Sequence, residues 1–124
     1  MGAAVALENI AFIEEHGLVE RVREQIGPYF RDRLKELLEF PCIGEVQSLG
    51  VLGRFEIDLS VGSQHTSQAE NDAFREKIVG IAWKRGLATK GGGLCLPMII
   101  TTEQIDEGIG ILKDSIAEAL SDAA

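Results

Sequence analysis

Cysteine, histidine and basic residues are scarce in this sequence, and long apolar runs are missing. Only two cysteines, Cys42 and Cys95, occur in 124 residues. A domain of that length can build a core without staples, so the pair reads as reduced thiols rather than a disulfide framework. The cytoplasm is the expected compartment. Lys and Arg number 12 against 20 Asp and Glu, for a net charge of −8. Nucleic acid and anionic membrane need clustered cations, so neither is an expected partner. The longest apolar run, Leu94 to Ile100, contains Pro97 and is too short to span a bilayer. No basic region precedes the first apolar residues, so the start does not read as a signal peptide. His16 and His65 lie far apart and no Cys/His cluster has metal-ligand spacing. No Ser–His–Asp or paired-carboxylate constellation can be assembled.

What is present is the composition of one ordinary globular domain, with 45% hydrophobic and 26% charged residues. Ala3, Ala4, Leu7, Ile10 and Ala11 follow helical spacing, and Gly17 suits the position just past that helix. No capping residue precedes this helix, so the chain is expected to begin inside a helix of a longer parent. A second helix is predicted from Leu18 to about Phe40. Its buried stripe is Leu18, Val22, Ile26, Tyr29, Leu34, Leu37 and Leu38, with a kink or short break at Gly27-Pro28. Pro41 stops it.

Strands follow near Ile43–Ser48 and Val51–Leu59, with a turn at Leu49-Gly50. Phe55, Ile57 and Leu59 alternate with Arg54, Glu56 and Asp58. Ser60 to Thr66 reads as a polar loop. Ser67 with Glu70 forms a capping box for a helix running to about Arg85, with Ala69, Ala73, Phe74, Ile78, Ile81 and Ala82 inside. Leu87–Thr89 reads as a short extended segment, Lys90 with Gly91–Gly93 as a flexible loop, and Leu94–Ile100 as a strand. Thr101 with Gln104 caps a last helix that buries Ile105, Ile109, Leu112, Ile116 and Leu120. Close packing is the expected reason for Gly108 and Gly110 there. Residues 1–124 thus read as one α+β domain, a small, mostly antiparallel sheet with helices packed on one face.

The chemistry legible in the residues is thin. The glycine run Gly91–Gly93 leads into a strand, not a helix N-terminus, so it does not read as a phosphate loop. Lys90 beside it is a cation placed to meet an anion. Cys42 and Cys95 read as packing residues, because no cation lies near in sequence to activate either thiol. Glu56 falls on the strand face opposite Phe55 and Ile57, either exposed or facing a neighbouring domain.

Four segments, in order, resemble the C-terminal small domain of class III (omega-type) pyridoxal-phosphate aminotransferases, a lobe of fold-type I. Ala3–Ile10 with Ile13–Leu18 is similar to that family's alanine-rich helix and its "IEEEGL" end. Arg31–Leu37 resembles "LRERLEEL", Gly44–Glu56 resembles "GEVRGLGLMLGIE", and Pro97–Asp106 resembles "PPLIITEEEID". In that family the lysine that forms the Schiff base and the groups that grip the cofactor lie in the large domain. The resemblance therefore implies pyridoxal phosphate for a full-length parent, none in this chain alone, and no transamination by it alone. Lys35, Lys77, Lys84, Lys90 and Lys113 match no catalytic position.

The family's small domain closes the active site and often supplies an arginine to the substrate carboxylate, within a "GLxxRxGG" segment. Gly86–Gly92 puts Lys90 at that place, so the resemblance implies substrate binding by Lys90, with the charge kept and the bidentate fork lost. The alternative is a free-standing module that kept the fold and lost the reaction, binding a small amino or keto acid near Lys90. On either reading, apolar surface around the first helix and one sheet face is left uncovered, and a twofold homodimer is expected.

Overall fold

The computed structural model describes residues 1–60 and 65–123. Residues 61–64, the middle of the predicted polar loop, lie outside the described residues. Gly2–Glu15 form α1. Gly17 follows in the left-handed conformation (φ 57°), as a residue closing a helix should. Leu18–Arg21 (α2), a π turn at Val22–Ile26, Gly27–Lys35 (α3) and a 3-10 turn at Glu36–Glu39 then make one rod. The expected break at Gly27-Pro28 does not occur. Pro28 cannot donate to the carbonyl of Glu24, and the rod absorbs the loss by widening upstream, where Gly27 N–H bonds to the Val22 carbonyl.

The extra residue in that turn changes the phase of the stripe. Phe30 is buried, whereas Leu38, expected inside, is half exposed. Arg21 ties the rod to the far end of the chain. Its guanidinium donates to the carbonyls of Met98 (2.7 Å) and Ile100 (2.6 Å).

Strands β1 (Ile43–Leu49) and β2 (Leu52–Ile57) pair antiparallel, with Val46 opposite Phe55 and Ser48 opposite Gly53. The turn falls at Gly50-Val51, one residue later than expected. β3 pairs antiparallel with β2 but spans only Gly93–Cys95. Pairing ends with one further bond, Leu96 N–H to the Val51 carbonyl, because Pro97 has no N–H and opens a turn that Ile100 N–H closes. Leu87–Thr89 is not a strand. The order is therefore helix, helical rod, hairpin, helix, short strand, helix.

The helices lie on one face of the sheet, as the alternation predicts. Gly53 lets them come close: a Cβ there would stand 2.7 Å from the Phe30 ring. Helix α4 (Gln68–Lys84) starts on the Ser67–Glu70 capping box. Phe74, Ile78, Val79 and Ala82 are buried; Ala69 and Ala73, expected inside, are exposed. Helix α5 (Thr102–Ala123) begins on the reciprocal Thr101–Gln104 bonds and buries Ile105, Ile109, Leu112, Ser115, Ile116 and Ala119. Leu120 is only partly buried. No described helix is long and apolar enough to cross a membrane.

Close packing explains neither Gly108, whose Cβ would meet Leu87 at an ordinary 3.6 Å, nor Gly110, where a Cβ would meet nothing. Gly110→Ala should therefore stabilise the chain by about 1 kcal/mol through helix propensity, read as a higher urea midpoint at unchanged slope.

Helix α1 is the exception to this packing. It is apolar on nearly every side, yet none of its residues is buried. Val5 and Leu7 are 65% and 69% exposed.

A partly exposed polar network joins the rod to α5 at the edge of the core. Lys113 lies 3.0 Å from Glu36 and 2.8 Å from Glu39, and Arg33 pairs with Glu36 and Asp106. The Lys113 ammonium, with Arg33, holds the Glu36 carboxyl below its ordinary value, and Lys113 is raised by Glu39 and Glu36. A carboxyl lowered on folding stabilises above its unfolded pKa, and that gain is lost as pH falls through the folded value. The urea midpoint should therefore decline once pH drops below the usual glutamate range, and Glu36→Gln should flatten part of that decline.

Candidate functional site

Lys90 is exposed at the first position of a four-residue turn, Lys90–Gly93. Gly91 (φ 57°) and Gly92 (φ 80°) occupy its two central positions, as a type I′ turn requires. The loop expected to be flexible is instead stitched on all sides. Gly93 N–H donates to the Lys90 carbonyl at 2.8 Å, and Phe55 N–H donates to the Gly92 carbonyl at 3.1 Å. The buried Thr89 hydroxyl donates to the Gly93 carbonyl at 2.7 Å, and Trp83 Nε1 donates to the Thr89 carbonyl at 3.0 Å. A mobile cation on a long stem thus stands on a fixed base. Lys90 makes no ion pair among the described residues.

Arg75 of α4 adjoins this turn, and nothing in the sequence pointed to it. A Cβ on Gly92 would lie 3.3 Å from Arg75 Cδ. One end of the Arg75 guanidinium pairs with Asp72 at 2.8 Å, while its Nε is buried without an acceptor. Lys90 and the aliphatic stem of Arg75, 15 positions apart in the chain, thus border one turn, with the Arg75 charge matched by Asp72. The cation of this arrangement with no carboxylate partner among the described residues is Lys90.

The other candidate side chains do not join it. Cys42 is buried, and burial pushes its thiol above the ordinary value. Cys95 is exposed opposite Leu52, because strand alternation puts it on the face away from the buried Leu94, which corrects its reading as a packing residue. Both thiols are free. His16 stacks on Phe12 at 4.0 Å and bonds to its carbonyl through Nδ1 at 2.9 Å. His65 is exposed. Glu56 pairs with Arg54 on the outer face, about half exposed. Among the described residues no group of His, Cys, Asp and Glu could hold a metal ion.

No family model matches the chain. The fold is that of part of a transaminase. An aminotransferase from Vibrio fluvialis in its PMP-bound form superposes with a TM-score of 0.87 at 30% identity, over 99% of this chain and 28% of that one. An omega-aminotransferase from Paracoccus denitrificans gives 0.87 at 28% identity, again over 99% of this chain and 28% of its own. Sequence similarity agrees. Putrescine–pyruvate aminotransferase of Pseudomonas aeruginosa is 30% identical over 122 residues, which is 91% of this chain and 25% of that enzyme. A probable 4-aminobutyrate aminotransferase of Bacillus subtilis is 31% identical over 121 residues, 91% of this chain and 27% of that protein. The chain matches class III aminotransferases over nearly all of its own length and spans about a quarter of theirs.

Proposed function

We propose that this chain works as the small C-terminal lobe of a pyridoxal-phosphate aminotransferase, closing over an active site built elsewhere and presenting Lys90 to the carboxylate of an amino or keto acid. The observation that carries the reading is the coextensive match: the fold agrees over 98% of the chain with a transaminase of which it makes 28%. The fixed Lys90–Gly93 turn supports the role of Lys90, because a stiff base lowers the entropy lost on capturing a ligand. Lysine at that point offers a single charge rather than a fork, so affinity for a free carboxylate should be weak.

Pyridoxal phosphate does not fit this chain's own residues. Lys113 is held by Glu36 and Glu39, and Lys77 by Asp122 and the Ala119 carbonyl. None of the described cavities is lined by a lysine. A Schiff-base lysine needs a ring-sized pocket and a partner for the pyridine nitrogen, and no step through the cofactor follows from these residues. The proposal includes no transamination by the chain alone. It also includes a reducing, cytoplasmic setting, supported by the two free thiols, and a twofold pairing of chains, supported by the bare apolar surface of α1.

The test is an NMR titration of the chain with pyruvate. Saturable shifts confined to Lys90–Gly93 and Arg75 are expected, with a millimolar dissociation constant, worth about 4 kcal/mol. Lys90→Met should abolish them and Lys90→Arg should keep or tighten them. Shifts absent throughout, or unchanged in Lys90→Met, would refute the carboxylate role.

A further inference from the structure

Two surfaces lack a partner within the chain. The first is α1, which is apolar nearly all round although no residue of it is buried. Helices of that character are covered in folded proteins. Its only charged side chains are Glu8, Glu14 and Glu15. The second surface is a groove of about 420 Å³ between the rod and the hairpin tip. Val19, Val22, Leu49 and Leu52 give it apolar walls, and Arg23 and Arg31 are its only charged lining residues. Neither arginine makes an ion pair among the described residues. In a chain of net charge −8, a groove whose charges are both positive is a local reversal.

The two surfaces also match in length. The 14 residues of α1 span about 21 Å at 1.5 Å per residue. The groove wall from Val19 to Arg31 runs along about 18 Å of the rod by the same rise. Within one chain, α1 leaves the groove uncovered.

We propose that two copies of this chain pair by exchanging α1, each helix lying in the other copy's groove with its glutamates toward Arg23 and Arg31. This assignment rests on the twofold pairing in the functional reading above and names its surface; it is independent of carboxylate binding at Lys90. A reciprocal exchange uses the same patches on both copies, so it closes at two.

Sedimentation velocity on the 124-residue chain tests it. A dimer is expected at high micromolar concentration. Leu7→Glu with Ile10→Glu in α1, or Leu52→Glu in the groove, should each give a monomer. Circular dichroism should stay unchanged, because these side chains are exposed, and the urea midpoint should fall only to that of the wild type diluted to its monomer. Arg23→Glu with Arg31→Glu should weaken the dimer about tenfold, and adding Glu14→Lys with Glu15→Lys should restore it. That rescue cannot come from misfolding. A monomeric wild-type chain would overturn the pairing itself. A dimer that survives Leu52→Glu and the arginine swap would overturn the exchange while leaving the pairing intact. Pyruvate titration of the monomeric Leu7→Glu/Ile10→Glu chain reads the lobe function separately.

Discussion

Phe30→Ala should be the most damaging single truncation in the chain, costing about 3–5 kcal/mol. Phe30 is 1% exposed and lies where the rod, the sheet and α5 meet. On one side its ring rests on Gly53, the one place in β2 with no side chain to hold it off. On the other it borders a small void of about 80 Å³ shared with Leu94, Leu96, Ile105 and Ile109. Deleting the ring would merge its own space with that void. The glycine opposite has no side chain to move in, so collapse is limited and the cavity contribution stays near its upper range. Phe30→Leu refills most of the space and should cost about 1.5 kcal/mol or less. Urea denaturation of the three chains checks this ordering; equal midpoints for wild type and Phe30→Ala would contradict it.

Gly92→Ala should cost about 2–4 kcal/mol and dismantle the turn under Lys90. Two effects add. At φ 80° an L-residue is strained, worth about 1–2 kcal/mol. The new Cβ would also stand 2.8 Å from the Phe55 carbonyl oxygen, a backbone atom that cannot rotate away. Moving it breaks the Phe55 N–H to Gly92 bond that anchors the turn to β2. Gly91→Ala is the control. Its φ is 57°, but a Cβ there meets nothing within 4 Å, so only the strain remains, about 1 kcal/mol. Thermal melts separate the two variants. Pyruvate shifts at Lys90 should persist in Gly91→Ala and vanish in Gly92→Ala.

These two sites show what could be read from sequence and what could not. Both capping boxes, the left-handed Gly17, the hairpin and the one-sided alternation of Phe55 and Ile57 are local signals, and local hydrogen bonding realises them. Phe30 was missed because a stripe drawn at regular helical spacing goes out of phase across the π turn, and the closing 3-10 turn then puts Leu37 inside and Leu38 out. The glycine run read as flexible because its restraints come from Phe55, Thr89 and Trp83, which only the fold brings to it. Lys90 could be found through resemblance to a motif. Arg75 could not, since no spacing relates it to Lys90; contact through Gly92 does. Leu94–Ile100 is apolar enough for a longer strand, but Pro97 has no N–H with which to continue pairing.

The wide turn at Val22–Ile26 has a consequence for the direction in which the first seventeen residues leave the body of the protein. A coil holding one residue more than usual can surrender it. Removing Gln25, which is exposed, would restore ordinary winding and leave both flanks facing as before, because the wide turn already takes up its extra residue as a bulge. Leu18 would keep its seat, whereas removing an exposed residue from ordinary coil, such as Asp32, would turn one flank against the other by about 100°. One residue of slack thus lets the arm keep its azimuth.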